Sequence, residues 1–201
     1  MILYSMPSSG NSYKVRLLLA LLGRRDVTLV DVEAQSDALT RAKQEHRLPF
    51  GKAPVLMLKD GTLLPESNAI LCYLGEGSRF VPQDAVARAH MLGWMFWEQN
   101  QHEGVIAVRA ALRTYPHRRA QATPEHLADL LARGHDLLGV METRLSQQDW
   151  LTDTGPTLAD ICLFAYTHSA GDRGGFEMTQ FPGIRAWIDR MVQLDGFEGL
   201  E

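Results

Sequence analysis

Residues 9–12 read Ser-Gly-Asn-Ser, directly after a short apolar run and just before YKVRLLLALLG, whose apolar residues recur at helical spacing. Small hydroxyl and amide side chains at a helix start, beside first-turn N–H groups that lack intrahelical partners, favour an anion placed just outside the helix. Ser9 and Ser12 read equally well as ordinary helix caps. The segment holds no cysteine. Disulfide exchange needs a thiolate attacking sulfur, so thiol-disulfide catalysis by this loop is excluded.

Two further segments belong with that loop. In LPFGKAPVL, Pro54 immediately precedes a strand pattern, and Ala53-Pro54 at such a bend is a natural place for a cis peptide. A cis bond there would turn the N–H and C=O of Ala53 towards an extended peptide ligand. In PESNAI, Glu66 and Ser67 stand at a helix start. They combine a carboxylate for an ammonium group with a hydroxyl and N–H groups for a carboxylate, which makes a peptide clamp. The competing reading of Glu66-Ser67 is a plain helix cap.

A second group lies on WMFWEQNQHEGVIAVRAALR, where Glu98, Gln99, His102, Val105, Arg109 and Leu112 fall at three- and four-residue spacing. Such a polar stripe suits the lining of a cleft and makes His102 and Arg109 candidates for a substrate pocket. The bland alternatives are a structural histidine and an ion pair between Arg109 and Glu98 or Glu103. Gly104, costly in mid-helix, predicts a bend or a close backbone approach. Thr157-Leu158-Ala159-Asp160 fits a capping box and is read as a folding element. GDRGGFEM (171–178) is expected to be a flexible connection beside the pocket.

The elements that must position these groups follow from periodicity. Strands are expected at 1–4, 27–33 and 54–58, and helices after residue 12, at 37–46 and at 67–74, with Asp60-Gly61 closing a two-residue hairpin turn onto TLLP. The order βαβ then ββα on fewer than eighty residues predicts an α+β domain with a mixed four-stranded sheet, the thioredoxin-like arrangement. After it come helical patterns at 86–113, 124–146, 158–169 and 182–193, an all-helical bundle. All four lysines precede residue 78 and all four tryptophans follow it. The expected division is therefore 1–77, a linker at 78–85, and 86–201.

Composition narrows the function classes. With 45% hydrophobic and 22% charged residues in 201, the chain is globular rather than disordered. A net charge of −4 gives no general attraction to nucleic acid or an anionic membrane. Cys72 and Cys162 lie in apolar runs, too far apart in sequence for a metal-type pair, so both are expected to be reduced core thiols and no metal is expected. No stretch approaches the roughly 18 apolar residues of a membrane span, and no basic region precedes the apolar start, so the default location is cytoplasmic.

Taken together, YSMPSSGNSYKVRLLLALLG, LPFGKAPVL, PESNAILCYL and GPTLADICLFAYTH strongly resemble the cytosolic glutathione transferases, specifically bacterial members with a serine-type first loop like the theta, phi and zeta classes. The resemblance covers nearly the whole chain. It implies glutathione as co-substrate in the first domain and a small hydrophobic electrophile in a pocket supplied mostly by the second. By position, Ser9 matches the serine that donates to the glutathione sulfur, and Asn11 is its main competitor. Lys52 matches the residue near the glycyl carboxylate, Ala53 before Pro54 the backbone pair for the cysteinyl unit, and Glu66 with Ser67 the γ-glutamyl anchors. The implied activity is conjugation in detoxification by a homodimer. Alternatives are a glutathione-dependent isomerase or dehalogenase, and a non-catalytic binding protein. Asn11 departs from the cysteine of the zeta pattern and argues against zeta-type isomerisation.

Overall fold

The computed structural model describes residues 1–200. In chain order the elements of the first part are β1 (Ile2–Ser5), α1 (Gly10–Leu21), β2 (Thr28–Asp31), α2 (Asp37–Gln44), β3 (Val55–Met57), β4 (Leu63–Pro65) and α3 (Ser67–Gly75). Helices α4 (Ala85–Trp97), α5 (Val108–Thr114), α6 (Pro124–Leu145), α7 (Leu158–Thr167) and α8 (Pro182–Val192) follow. They form two compact units, Met1–Val81 with the segment from Leu194 onward, and Pro82–Gln193. No helix of the described residues is long and apolar enough to cross a membrane.

The first unit has the expected mixed sheet, in the order β2-β1-β3-β4, with β2 parallel to β1 and both other pairings antiparallel. Strand side chains alternate between faces. Leu3 and Leu56, paired in register, are both fully buried. Tyr4 and Val55, paired next to them, point the other way into a cluster with Val32, Ala42 and Leu48 against α2. Helices α1 and α3 pack against each other and bury Leu17, Leu18, Ile70 and Leu71.

Turn chemistry follows the residues. Gly23 ends α1 at φ +63°, its N–H donating to Ala20 O at 2.9 Å, as a helix-terminal glycine does. The β3–β4 hairpin differs from the two-residue expectation. Leu58 N–H bonds Thr62 O at 2.8 Å and Gly61 N–H bonds Leu58 O at 3.1 Å, with Gly61 at φ +88°. That is a three-residue loop in which glycine takes the left-handed position.

The segment from Leu194 returns to the first unit, which helical periodicity did not foresee. Tyr13 in α1 donates its hydroxyl to Glu198 O at 2.8 Å. Gly196 sits at φ +83°, where a Cβ would lie 2.7 Å from Ala20 O, so the close approach requires glycine.

The second unit is helical, as expected, around Leu138, Met141, Ile161, Phe164 and Trp187, all at most 1% exposed. The helix expected over 86–113 is one rod with a change of register, because a π-helical stretch occupies Glu98–Ala107 between α4 and α5. Five-residue spacing then stacks Glu98 over Glu103. The Gln99 amide donates to both carboxylates, at 2.9 and 2.6 Å. Gly104 is exposed with nothing near its Cβ position, so no backbone approaches it. The capping box forms as read: Asp160 accepts from the N–H groups of Leu151 and Thr157 and from Trp187 Nε1 at 3.0, 2.8 and 3.0 Å.

Candidate functional site

The sheet register gathers the candidate residues of the first unit at one end. Tyr4 pairs with Val55, and Val55 with Pro65. Hence the exit of β1 into the Ser9 loop, the Ala53-Pro54 step before β3 and the Glu66-Ser67 step after β4 share an edge. The Ala53–Pro54 peptide is cis. Lys52, next to it, is exposed. Two helix N-termini, those of α1 and α3, open at the same end, and the positive ends of both helices favour an anion there.

Glu66 holds φ +72°, a conformation that costs a non-glycine residue about 1–3 kcal/mol and concentrates at functional sites. Glu66 occupies the N-cap position of α3, its C=O accepting from Ile70 N–H at 2.9 Å, but its side chain makes no cap bond to the helix. Ser67 is 3% exposed and donates to Asn11 Oδ1 at 3.0 Å. That bond ties the first turn of α3 to the first turn of α1.

The three serines of the loop differ sharply. Ser12 is fully buried and its Oγ accepts from Met6 N–H at 2.9 Å. Ser8 binds the Glu33 carboxylate through both N–H and Oγ, at 3.0 and 2.8 Å. Ser9 stands at the N-cap of α1 in an extended conformation, half-buried, its Oγ accepting from Ser12 N–H at 3.5 Å. That is the outer limit of a hydrogen bond. Ser9 is therefore the serine whose hydroxyl is least committed to the fold.

Arg16 and Glu33 escaped sequence reasoning. Arg16 looks like one more basic residue on a helix, and Glu33 like a polar residue at a strand end. Burial pushes the Glu33 carboxyl up, but bonds from the N–H groups of Ala34 and Ser8 and from the Ser8 hydroxyl, with the Arg16 charge, hold it below its ordinary value. It is an ionised acceptor at neutral pH. Burial pushes the Tyr13 phenol up to about 12 despite nearby Arg16, so it stays a donor.

In the second unit both pocket candidates have internal partners. His102 is fully buried, with Nε2 3.1 Å from Thr167 Oγ1 and its ring 5.7 Å from that of Trp97. Arg109 pairs with neither Glu98 nor Glu103. It donates from Nε to Gly174 O at 2.7 Å and from Nη1 to Leu127 O, and lies over the Phe176 ring. Burial, then the Arg113 charge, lowers its pKa. Arg109 thus pins the glycine-rich connection expected to be flexible. Around Glu98, Cys162 donates to Oε2 at 3.2 Å, and Tyr166 donates to Glu103 at 3.3 Å. Neither cysteine is in a disulfide, and Cys72 is half-buried rather than a core thiol.

Comparison with known proteins bears on both units. The sequence pattern of the glutathione S-transferase N-terminal domain matches residues 3–79, and that of the C-terminal domain matches residues 105–195. A glutathione S-transferase from Xanthobacter autotrophicus is 39% identical, with 99% of this chain and 96% of that one covered and a TM-score of 0.90. One from Pseudomonas fluorescens is 38% identical over 99% and 98%, with a TM-score of 0.92. Maleylacetoacetate isomerase of Pseudomonas aeruginosa is 29% identical over 93% of this chain and 89% of its own.

Proposed function

This chain belongs to the glutathione S-transferase family, and from that premise we propose that it ionises the glutathione thiol beside Ser9 and conjugates it to small hydrophobic electrophiles. The observation that carries this reading is the convergence of Ser9, cis Ala53–Pro54 and Glu66-Ser67 at one sheet end. Glu66 takes the γ-glutamyl ammonium and Ser67 its carboxylate. Ala53 pairs its backbone with the cysteinyl unit, and Lys52 meets the glycyl carboxylate. The sulfur then lies near Ser9, with Asn11 two residues along in the first turn of α1.

A free thiol titrates near 8.5, so only a few per cent is thiolate at neutral pH. A hydroxyl donating to the thiolate contributes about 1.5–3 kcal/mol, which lowers that value by about 1 to 2 units. The N-terminus of α1 adds about 0.3–1 kcal/mol. The thiol proton leaves to solvent. The thiolate sulfur forms the new bond to carbon as the leaving group departs with its electron pair, and proximity lowers the barrier. On the electrophile side neither His102 nor Arg109 is given a contact with substrate, because both are buried and bonded within the second unit.

Glu66→Ala is expected to weaken glutathione binding by about 1.5–3 kcal/mol, since it removes the partner of the charged ammonium, and Ser67→Ala to weaken it less, because the Ser67 hydroxyl must leave Asn11 Oδ1 to meet the carboxylate. Isothermal calorimetry measures this directly. Unchanged affinity in both variants would place the peptide site elsewhere. A second reading, glutathione-dependent isomerisation, is supported by the isomerase relative and shares the same thiolate. Turnover of maleylacetoacetate without conjugation of any electrophile in a panel would favour it.

The protein is further read as a cytoplasmic homodimer. Val86 and Phe96 on α4 are 65% and 67% exposed and Val140 on α6 is 49% exposed, beside a groove of about 300 Å³ lined by Gly93, Trp94 and Trp97. Apolar exposure on that scale suits an interface. Sedimentation at micromolar concentration should give twice the mass of the chain, and Val86→Glu with Phe96→Glu should halve it. A wild-type species of single-chain mass would end the dimer reading and leave the fold untouched.

A further inference from the structure

The loop that carries Ser9 is held from both sides by side chains outside it. Arg16, on the second turn of α1, donates from Nη1 to Ser5 Oγ at 2.7 Å and to Met6 O at 3.3 Å, and from Nη2 to Pro7 O at 2.9 Å. Glu33, past the end of β2, receives the N–H and hydroxyl of Ser8. Between these anchors the loop closes on itself, through Ser9 N–H to Met6 O at 3.0 Å and Met6 N–H to Ser12 Oγ. Every residue from Ser5 to Ser8 is therefore tied, and Ser9 is the next one along.

The two anchors divide the work by charge. Carbonyls need donors, which the flat guanidinium fork of Arg16 supplies to consecutive residues at once; an ammonium is a single point and cannot copy that spread. N–H and O–H groups need acceptors, which the ionised Glu33 supplies through both oxygens. Asp31 and Glu33 in turn are the acidic neighbours of the Arg16 charge. Hydrogen-bond strength falls steeply with distance and angle. A donor that must meet a sulfur thus depends on where its backbone is held, and a misplacement of about 1 Å is enough to cost a hundredfold in rate.

We infer that Arg16 and Glu33 are positioning residues for thiolate formation, acting through the Ser5–Ser8 loop to set where Ser9 Oγ meets the glutathione sulfur. The inference rests on the proposed role of Ser9. Its test is a double-mutant cycle on the full chain, with Arg16→Lys and Glu33→Gln made singly and each combined with Ser9→Ala. The readouts are the ultraviolet titration of thiolate in the glutathione complex, kcat and KM for a chloronitrobenzene electrophile, and the glutathione Kd.

Each single variant should raise the titration midpoint of the bound thiol by about one unit and lower kcat near neutral pH about tenfold, with glutathione Kd changed less than about threefold. In the Ser9→Ala background the same substitutions should add nothing. A merely structural role would instead lower stability or affinity and leave the thiol titration in place. The inference is overturned if neither single variant moves the titration, or if the shift survives intact without the Ser9 hydroxyl. Should Ser9→Ala itself leave the titration unmoved while Arg16→Lys shifts it, the role given to Ser9 falls, and this inference with it. If Arg16→Lys does not fold, Glu33→Gln, nearly isosteric and on the opposite side, decides alone.

Discussion

Replacing Ser9 with alanine is expected to raise the titration midpoint of bound glutathione by about 1 to 2 units and to lower the conjugation rate near neutral pH by about ten- to a hundredfold, with little change in glutathione affinity. The hydroxyl favours thiolate over thiol and does little for the rest of the tripeptide, so its loss falls on kcat. The structure sharpens this expectation by removing competitors. The Ser8 hydroxyl is committed to Glu33, and the buried Ser12 accepts from Met6 N–H. Asn11→Ala is the control, because its Oδ1 accepts from Ser67 while its amide nitrogen is a candidate donor. Thiolate absorbance titrated in each complex separates the two. A larger shift in Asn11→Ala would transfer the sulfur contact to Asn11. No shift in either would leave backbone N–H groups as the stabilising element.

The largest expected loss of stability belongs to Asp160. Its carboxylate is fully buried and collects the Leu151 and Thr157 N–H groups, the Thr157 hydroxyl and the Trp187 indole. Burial pushes its pKa up and these four donors pull it back, with burial the larger influence. Removing the acceptor strands donors that have no water to turn to, each costing about 1–3 kcal/mol and not additively. Asp160→Ala should therefore cost the second unit about 3–5 kcal/mol. Asp160→Asn, which keeps the shape and one acceptor, should cost less. Urea unfolding followed by tryptophan fluorescence measures this, since all four tryptophans lie in that unit. A loss below about 1 kcal/mol for Asp160→Ala would show that the bonds do not hold α7 and α8 together.

Much of this protein is determined by short-range sequence. Alternation in ILYS and PVLML, Gly23 after an apolar helix, and Thr157 three residues before Asp160 each express a backbone preference set within a few residues, and each element formed where its pattern lay. The association of the Ser9 loop, Ala53-Pro54 and Glu66-Ser67 was expected from the βαβ-ββα order of elements, while the strand order and register that bring them to one end came from the structure. What only tertiary structure decided is the choice of partners. Ser8, Ser9 and Ser12 are the same residue type in one loop, and nothing local says that Glu33, 25 residues away, takes Ser8. His102 and Arg109 fall on a polar stripe whose outlook depends on what packs against it, and Thr167, Gly174 and Leu127 claimed them. The return of the segment from Leu194 to α1 rests on the Tyr13–Glu198 bond and the close approach at Gly196. Such pairings are decided by which groups the folded chain brings within about 3 Å of each other, a distance that spacing along the sequence does not encode.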